Sequence, residues 1–376
     1  MRQINTHENE DIIRINQLIK DLERLEDVDL EILIKNNFHK AMLPTELEGL
    51  DLNIVEMSKL LTQISSKCHY SGLILSMHFY TIGSLRNYIK TSNYLKDVSM
   101  NGALFGSISN PNVQPFSTLE QINKAIGITY EKVNGKYIIN GKKKYVSGAP
   151  KIRYLPIYAC NEQLDNRIPV SVFIVDMNKK GVNIIEENWM SNSMTATNTF
   201  DINFNNVEVE NLIFEEGKGI EHTNDMLYWF RIALSSVYLG VCEAAYQHVI
   251  ALIKTKKSLL TENSVHNKVA DIKIKLELAR SQLLRTATMV NSMFKEKNIN
   301  EIKNSTLITK YFIAETVNDI LDDCLKIKGI SSLDKGDFLE VLSRDAKAAY
   351  FHPPQEYKVK SEIAINELGI INFRRN

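Results

Sequence analysis

Apolar positions recur every three or four residues near the start of the chain, where Ile12, Ile15, Leu18, Ile19, Leu22 and Leu25 make one stripe with charged residues between them. The same period returns from Val55 to Ile64 and from Gly72 to Tyr88, and it predicts helices that each lay one face on a core. From about residue 101 the pattern changes to short β-branched runs divided by glycine and asparagine. The runs are Ala125 to Val133, Lys136 to Ile139, Leu155 to Ala159, Val170 to Val175, Val182 to Ile185 and Phe200 to Phe204. They predict a small β-barrel or sandwich of antiparallel strands. After Gly217-Lys-Gly the helical period resumes along three stripes. The first runs from Leu227 through Phe230, Leu234, Val237 and Val241 to Leu252, the second from Val265 to Leu283, and the third from Leu307 to Leu321. They predict core helices of a four-helix bundle. The expected fold class is α+β: an N-terminal helical domain over 1–100, a middle β domain over 101–215 and a C-terminal bundle over 216–376.

Within the β region, Tyr130 to Pro150 carries two Asn-Gly pairs, Asn134-Gly135 and Asn140-Gly141. Both residue types accept the positive φ of a two-residue hairpin turn, so the stretch predicts three strands joined by two turns. Strand alternation then sets Tyr145 and Ser147 on one face, where an aromatic ring and a hydroxyl would meet a flat ligand and hydrogen-bond its edge.

The chain has 376 residues, enough for a large core and for two or three domains. Forty-five basic and 45 acidic side chains cancel, so no global field draws it to nucleic acid or to an anionic membrane. The four cysteines, at 68, 160, 242 and 324, show no Cys-x-x-Cys and no paired histidine spacing, which points away from disulfide and zinc frameworks and toward reduced thiols. No apolar leader opens the sequence and no run reads as a membrane span, so a cytoplasmic protein is expected. His78, in Leu75-Ser-Met-His-Phe-Tyr, lies on an apolar helix, where a satisfied core histidine is the first reading and a site residue the second.

The segment Lys142-Lys-Lys-Tyr145-Val-Ser147-Gly148 resembles the flavin-facing strand of the acyl-CoA dehydrogenase superfamily. The resemblance continues in order along most of the chain. Pro44 to Gly49 is similar to the family's Pro-x-x-x-Gly-Gly loop, with Glu48 in place of the first glycine, and Gly106-Ser-Ile-Ser-Asn-Pro111 stands where the family has Thr-Glu-Pro. Asn188 to Phe204, which includes Thr197, resembles its Gly-x-Arg-x-Thr-x-Ser-x-x-x-Phe stretch. Arg231 opens a long helix as the family's arginine does, and Arg344-Asp-Ala-Lys347 resembles its Arg-Asp-Ala-Lys/Arg sequence. The resemblance implies FAD, or FMN, held by Ser109, Asn110, Tyr145, Ser147 and Thr197. It implies a homodimer or homotetramer, in which Lys256 and Gly329 reach a neighbouring subunit's cofactor.

The resemblance also implies a flavin-dependent oxidoreductase that oxidises an acyl thioester, on CoA or a carrier protein, at its α and β carbons. An electron-transferring flavoprotein would then be the partner. That chemistry needs a base for the α-proton, and a carboxylate is the usual one. The family's two base positions hold proline, in His352-Pro353-Pro354-Gln355, and Phe230, which leaves Glu356 as the nearest substitute. Phe351-His352-Pro353-Pro354 is similar instead to the C-terminal sequence of dibenzothiophene-monooxygenase-like members. These take reduced flavin from a separate flavin reductase and use a histidine to support a C4a-hydroperoxyflavin. The site would then comprise His352, Asn110, Ser147 and, as a second reading, His78, whereas under desaturation Ser147 and Ser109 would hold the flavin and Arg231 would shape the site. A third reading is a degenerate, non-catalytic binder of flavin or an acyl chain.

Overall fold

The computed structural model describes residues 6–89, 93–108, 118–164, 168–188, 191–210, 212–292 and 299–370. The helices α1 (Thr6–Glu23), α2 (Leu30–Lys35), α3 (Ile54–Lys67), α4 (His69–Ile89) and α5 (Asn93–Asn101) come first. Strand β1 (Leu104–Phe105) and helix α6 (Leu119–Ile126) lead into β2 (Ile128–Val133), β3 (Lys136–Val146), β4 (Ile152–Cys160), β5 (Val170–Asp176), β6 (Val182–Ile185) and β7 (Phe200–Val209). The remainder is helical: α7 (Gly219–His222), α8 (Met226–Thr255), α9 (Lys257–Leu260), α10 (Asn263–Asn291), α11 (Ile299–Lys328), α12 (Phe338–Ala346), α13 (Ala348–Phe351) and α14 (Glu356–Glu367). Helices, sheet, then helices is the α+β order that the periodicities predict.

The predicted stripes face the core. Ile15 and Leu22 of α1 are buried, and Leu18, Ile19 and Leu25 pack beside them. On α10, Val265, Ile272, Leu276, Ala279 and Leu283 are all buried. Helices α8, α10 and α11 lie side by side with α12 against α8 and α11, while α3 and α4 cover another side of α8. By length and composition α8 is apolar enough to cross a membrane, which the sequence reading did not anticipate. It carries the buried charges Arg231 and Glu243 and is packed by α3, α4, α10, α11 and α12, so it is a core helix.

The strands make one seven-stranded sheet in the order β1-β4-β2-β3-β7-β6, with β5 on β4. Two pairings, β1 with β4 and β2 with β4, are parallel, a departure from the all-antiparallel expectation. The first Asn-Gly pair turns as predicted, with φ of 51° at Asn134 and 81° at Gly135 joining β2 to β3. The second does not turn. β3 runs straight through Asn140-Gly141, and the pair forms a bulge where the register against β7 slips. Gly141 has φ 130°, and a Cβ there would stand 2.3 Å from the Gly127 carbonyl oxygen, so only glycine fits the crossing.

In the loop after Met42, Glu48 itself adopts the left-handed conformation, φ 61°, and pairs with Lys40 at 2.9 Å. The backbone shape expected of glycine is kept with a charged residue in its place.

Candidate functional site

Asp345, near the end of α12, is 1% exposed and ties three parts of the chain together. His69 Nε2, at the start of α4, donates to its Oδ2 at 2.8 Å, and the Met194 amide, in the loop before β7, donates to its Oδ1 at 2.7 Å. Tyr70 also bonds the carboxylate, and the Ser193 hydroxyl donates to the Asp345 carbonyl at 3.2 Å. Burial works against the charge, but the bonds from His69, Tyr70 and Met194 outweigh it and hold the carboxyl below its ordinary value.

The same loop reaches Ser147. Thr197 donates to the Met194 carbonyl at 2.6 Å and meets Thr199 at 2.8 Å, and Thr199 donates to Ser147 Oγ at 3.2 Å. The half-buried Ser147 hydroxyl accepts there, and among the described residues its own proton is committed to none. Thr197 is fully buried with its proton spent inside the loop, so it braces Ser147 and has no donor for a ligand.

Tyr145 differs from expectation. A second bulge between Lys143 and Val146 puts it at φ 59°, and β3 ends at Val146. The alternation that would set Tyr145 and Ser147 on one strand face is therefore broken. The Tyr145 amide donates to Asp201 at 3.1 Å and its ring is 65% exposed. Lys143, beside it in the bulge, is buried, which pushes its ammonium down to about 7.

A second group lies where α8 and α11 begin. Arg231, 4% exposed, donates from Nη1 to Thr306 at 3.1 Å, and its Nε has no partner among the described residues. One and two turns on, Ser235 Oγ and Tyr238 OH are likewise buried without partners. The spacing of four and seven residues aligns all three on one face of α8. Lys310, one turn beyond Thr306 on α11, donates to the Pro354 carbonyl at 2.9 Å. Burial, then the charge of Arg231, pushes its ammonium down to about 8.

His352 ends α13 in an extended conformation, φ −60° and ψ 134°, as a residue before proline must. Its ring meets that of Tyr238 edge-on at 5.9 Å. Burial, with Lys310 adding to it, pushes the imidazole down to about 4, so it is neutral at pH 7.

The remaining predicted residues do not join these groups. Ser109 and Asn110 lie outside the described residues. Glu356 is exposed at the first turn of α14 and paired with Lys360. Lys256 and Gly329 are exposed just past the C-termini of α8 and α11, the end away from Arg231; 25 residues of helix separate Lys256 from Arg231, roughly 37 Å. His78 is fully buried, donates from Nε2 to the His39 carbonyl at 2.9 Å and accepts from the Phe105 amide at Nδ1, also 2.9 Å. Both ring nitrogens are used and burial pushes its pKa down to about 3, so it is the satisfied core histidine of the first reading.

Residues 122–207 match the family model described as acyl-CoA dehydrogenase, middle domain, and residues 217–352 match that of the acyl-CoA dehydrogenase C-terminal domain. The chain belongs to the acyl-CoA dehydrogenase family. It is 24% identical over 345 residues to an acyl-CoA dehydrogenase of Bacillus subtilis (strain 168), covering 88% of each chain. Among solved structures it is similar to KijD3 in complex with FMN and dTDP-3-amino-2,3,6-trideoxy-4-keto-3-methyl-D-glucose. That match has TM-score 0.80 and 18% identity, over 99% of this chain and 96% of the other. It is also similar to dibenzothiophene monooxygenase (TdsC) from Paenibacillus sp. A11-2, with TM-score 0.79 and 14% identity over 96% and 97% of the two chains. These place the chain among flavoproteins of acyl-CoA dehydrogenase fold, a family of oxidoreductases that includes dehydrogenases, reductases and a monooxygenase.

The half-buried Ser147 hydroxyl, with a proton that no described residue takes, is chemically suited to bond the edge of a flavin, whereas Tyr145 no longer shares a strand face with it. Sequence reasoning missed Lys310, Ser235, Tyr238 and the tie at Asp345. The heptad spacing of Arg231, Ser235 and Tyr238 was a legible signal for the α8 group, hidden because Leu234, Val237 and Val241 read as a plain core stripe.

Proposed function

We propose that this chain is a monooxygenase of the acyl-CoA dehydrogenase fold, working with reduced flavin supplied by a separate reductase. The observation that supports this reading most is the set of charges at the start of α8 and α11. Arg231 and Lys310 are buried and the neutral His352 is half-buried beside Tyr238, whereas Glu356 and Glu362 pair with Lys360 and Lys303. Among the described residues no carboxylate lies within ion-pair distance of Arg231 or Lys310. Abstraction of an α-proton wants a base whose pKa lies near the working pH, and an imidazole at about 4 is a poor one.

Bound reduced flavin supplies the electrons that activate oxygen. Around it, the protein has separate tasks. Ser147 would hydrogen-bond the flavin edge through its uncommitted proton, and Thr199 holds the hydroxyl in place. His352, fixed against Tyr238, offers a neutral ring that gives or takes a hydrogen bond without taking the proton outright. Lys310 ties the 352–354 turn to α11 through the Pro354 carbonyl, which holds the imidazole-bearing segment against the bundle.

Desaturation of an acyl thioester is the second reading, favoured by the kinship in sequence to acyl-CoA dehydrogenases. One experiment separates the two. Flavin-loaded protein is mixed anaerobically with a panel of acyl-CoA thioesters, and reduced protein is mixed with labelled oxygen and the same acceptors. Labelled product without anaerobic bleaching supports the monooxygenase; bleaching by a thioester overturns it. His352→Ala is expected to abolish label incorporation while leaving flavin content unchanged.

A further inference from the structure

Two cations stand in the interior of the bundle with no anion beside them. Arg231 is 4% and Lys310 5% exposed, and neither is within ion-pair distance of a carboxylate among the described residues. The guanidinium has five N–H donors, yet among the described residues it makes one side-chain bond, to Thr306, and its buried Nε has no partner. Lys310 spends one donor of three on the Pro354 carbonyl.

A buried charge is tolerated when it is paired, and leaving one unpaired is among the costlier arrangements in a protein. Here two like charges share one place: Arg231 touches Thr306, and Lys310 is one turn further along the same face of α11. Glu362 and Glu315 are near enough to act on them electrostatically, but Glu362 is held by Lys303 at 3.2 Å. The unpartnered hydroxyls of Ser235 and Tyr238 extend the line of idle hydrogen-bonding groups along α8.

We propose that Arg231 and Lys310 form a buried site for a carboxylate of the substrate, with Ser235 and Tyr238 bonding the part of the substrate next to it. The site would give the flavoenzyme a preference for acceptors that carry an anion at the end entering the bundle. An incoming carboxylate answers both cations at once, and the guanidinium plane offers it a two-pronged bond. The word substrate rests on the oxidoreductase reading above; the anion site rests on the packing alone.

The test is calorimetric titration of the full chain with butyrate, butyramide and inorganic phosphate, with flavin content read separately by absorbance. Saturable butyrate binding is expected, with butyramide, of the same shape but uncharged, binding at least about tenfold more weakly. Arg231→Gln and Lys310→Met are each expected to weaken butyrate by about tenfold or more. Lys310→Met also removes an unpaired buried charge, so its thermal midpoint without ligand should equal or exceed that of the parent protein. A lower midpoint would mean that the lysine is a structural strut and would overturn the proposal. So would butyrate binding that survives both substitutions, no saturable binding at all, or phosphate binding more tightly than butyrate. Butyrate binding in a protein that takes up no flavin would overturn the oxidoreductase reading and leave the anion site standing.

Discussion

Replacing Asp345 with alanine tests whether the tie between the three parts of the chain holds the fold together. The carboxylate accepts from His69 at 2.8 Å, from the Met194 amide at 2.7 Å and from Tyr70, all within a region where Asp345 is 1% exposed. Hydrogen bonds to a charged group contribute about 1.5–3 kcal/mol each, and they are not additive within one network. Removing one partner of a buried pair typically costs about 3–5 kcal/mol, and that is the expected loss for Asp345→Ala. Asp345→Asn keeps an oxygen for the Met194 amide but loses the charge facing His69, so a smaller loss of about 1–3 kcal/mol is expected. The assay is urea denaturation followed by far-UV circular dichroism and by tyrosine fluorescence. The sign with pH is fixed by the depressed carboxyl. Its contribution is fully present above the ordinary aspartate value and fades as pH falls through the lower folded value, so parent and Asp345→Asn should converge in acid. A loss under about 1 kcal/mol for the alanine variant, or a gap that does not narrow in acid, would refute the reasoning.

Three further outcomes follow from the packing. Gly240→Ala places a Cβ 2.4 Å from the Thr62 carbonyl oxygen, where α8 crosses α3, and should destabilise by about 1–3 kcal/mol in the same denaturation assay. His78→Leu leaves the Phe105 amide without its side-chain acceptor and removes the bond donated to the His39 carbonyl, and should cost about 1–3 kcal/mol, with flavin uptake of the surviving folded fraction unchanged. His352, pushed down to about 4 from an unfolded value of about 6.5, makes the folded state prefer the neutral ring, so it withdraws stability as pH falls from about 6.5 toward 4. Its ring proton resonances should hold constant from pH 8 to about 5 by NMR, and a titration near 6.5 would show the ring to be solvated.

Those parts of the fold that depend on local pattern could be read in advance. Val182 to Ile185 is observed as predicted because a short β-branched run between turn residues has few alternatives, and Asn134-Gly135 turns because nothing else pairs there. Asn140-Gly141 has the same chemistry and a different outcome. β7 pairs on both sides of it, and this long-range ladder carries the strand straight on and turns the glycine into a bulge. Tyr145 was misjudged for the same reason, since alternation assumes an unbroken ladder and a second bulge lies between Lys143 and Val146. Arg344 to Lys347 was visible as a motif, but the sequence contains no sign that Asp345 faces His69, 276 residues earlier. Parallel pairing of β2 with β4 was equally out of reach, because periodicity gives the faces of a strand and says nothing of its neighbours.

The two clusters are chemically linked through that tie. From Ser147 the hydroxyl line passes by Thr199 and Thr197 to the Met194 carbonyl, and the amide of the same residue is held by Asp345. Asp345 lies seven residues before His352, and its charge acts on the phenol of Tyr238, the ring against which His352 rests. The group that braces the Ser147 hydroxyl therefore also anchors the segment that carries the imidazole. A carboxylate that accepts three bonds serves as a brace, and on the reading proposed above the neutral imidazole and the two interior cations are the groups that would act on a substrate. Positive charge with neutral donors favours developing negative charge on oxygen and disfavours accumulation of a proton on the protein. An oxygen-transfer step has the first need and not the second, whereas desaturation requires a site that will accept a proton from carbon.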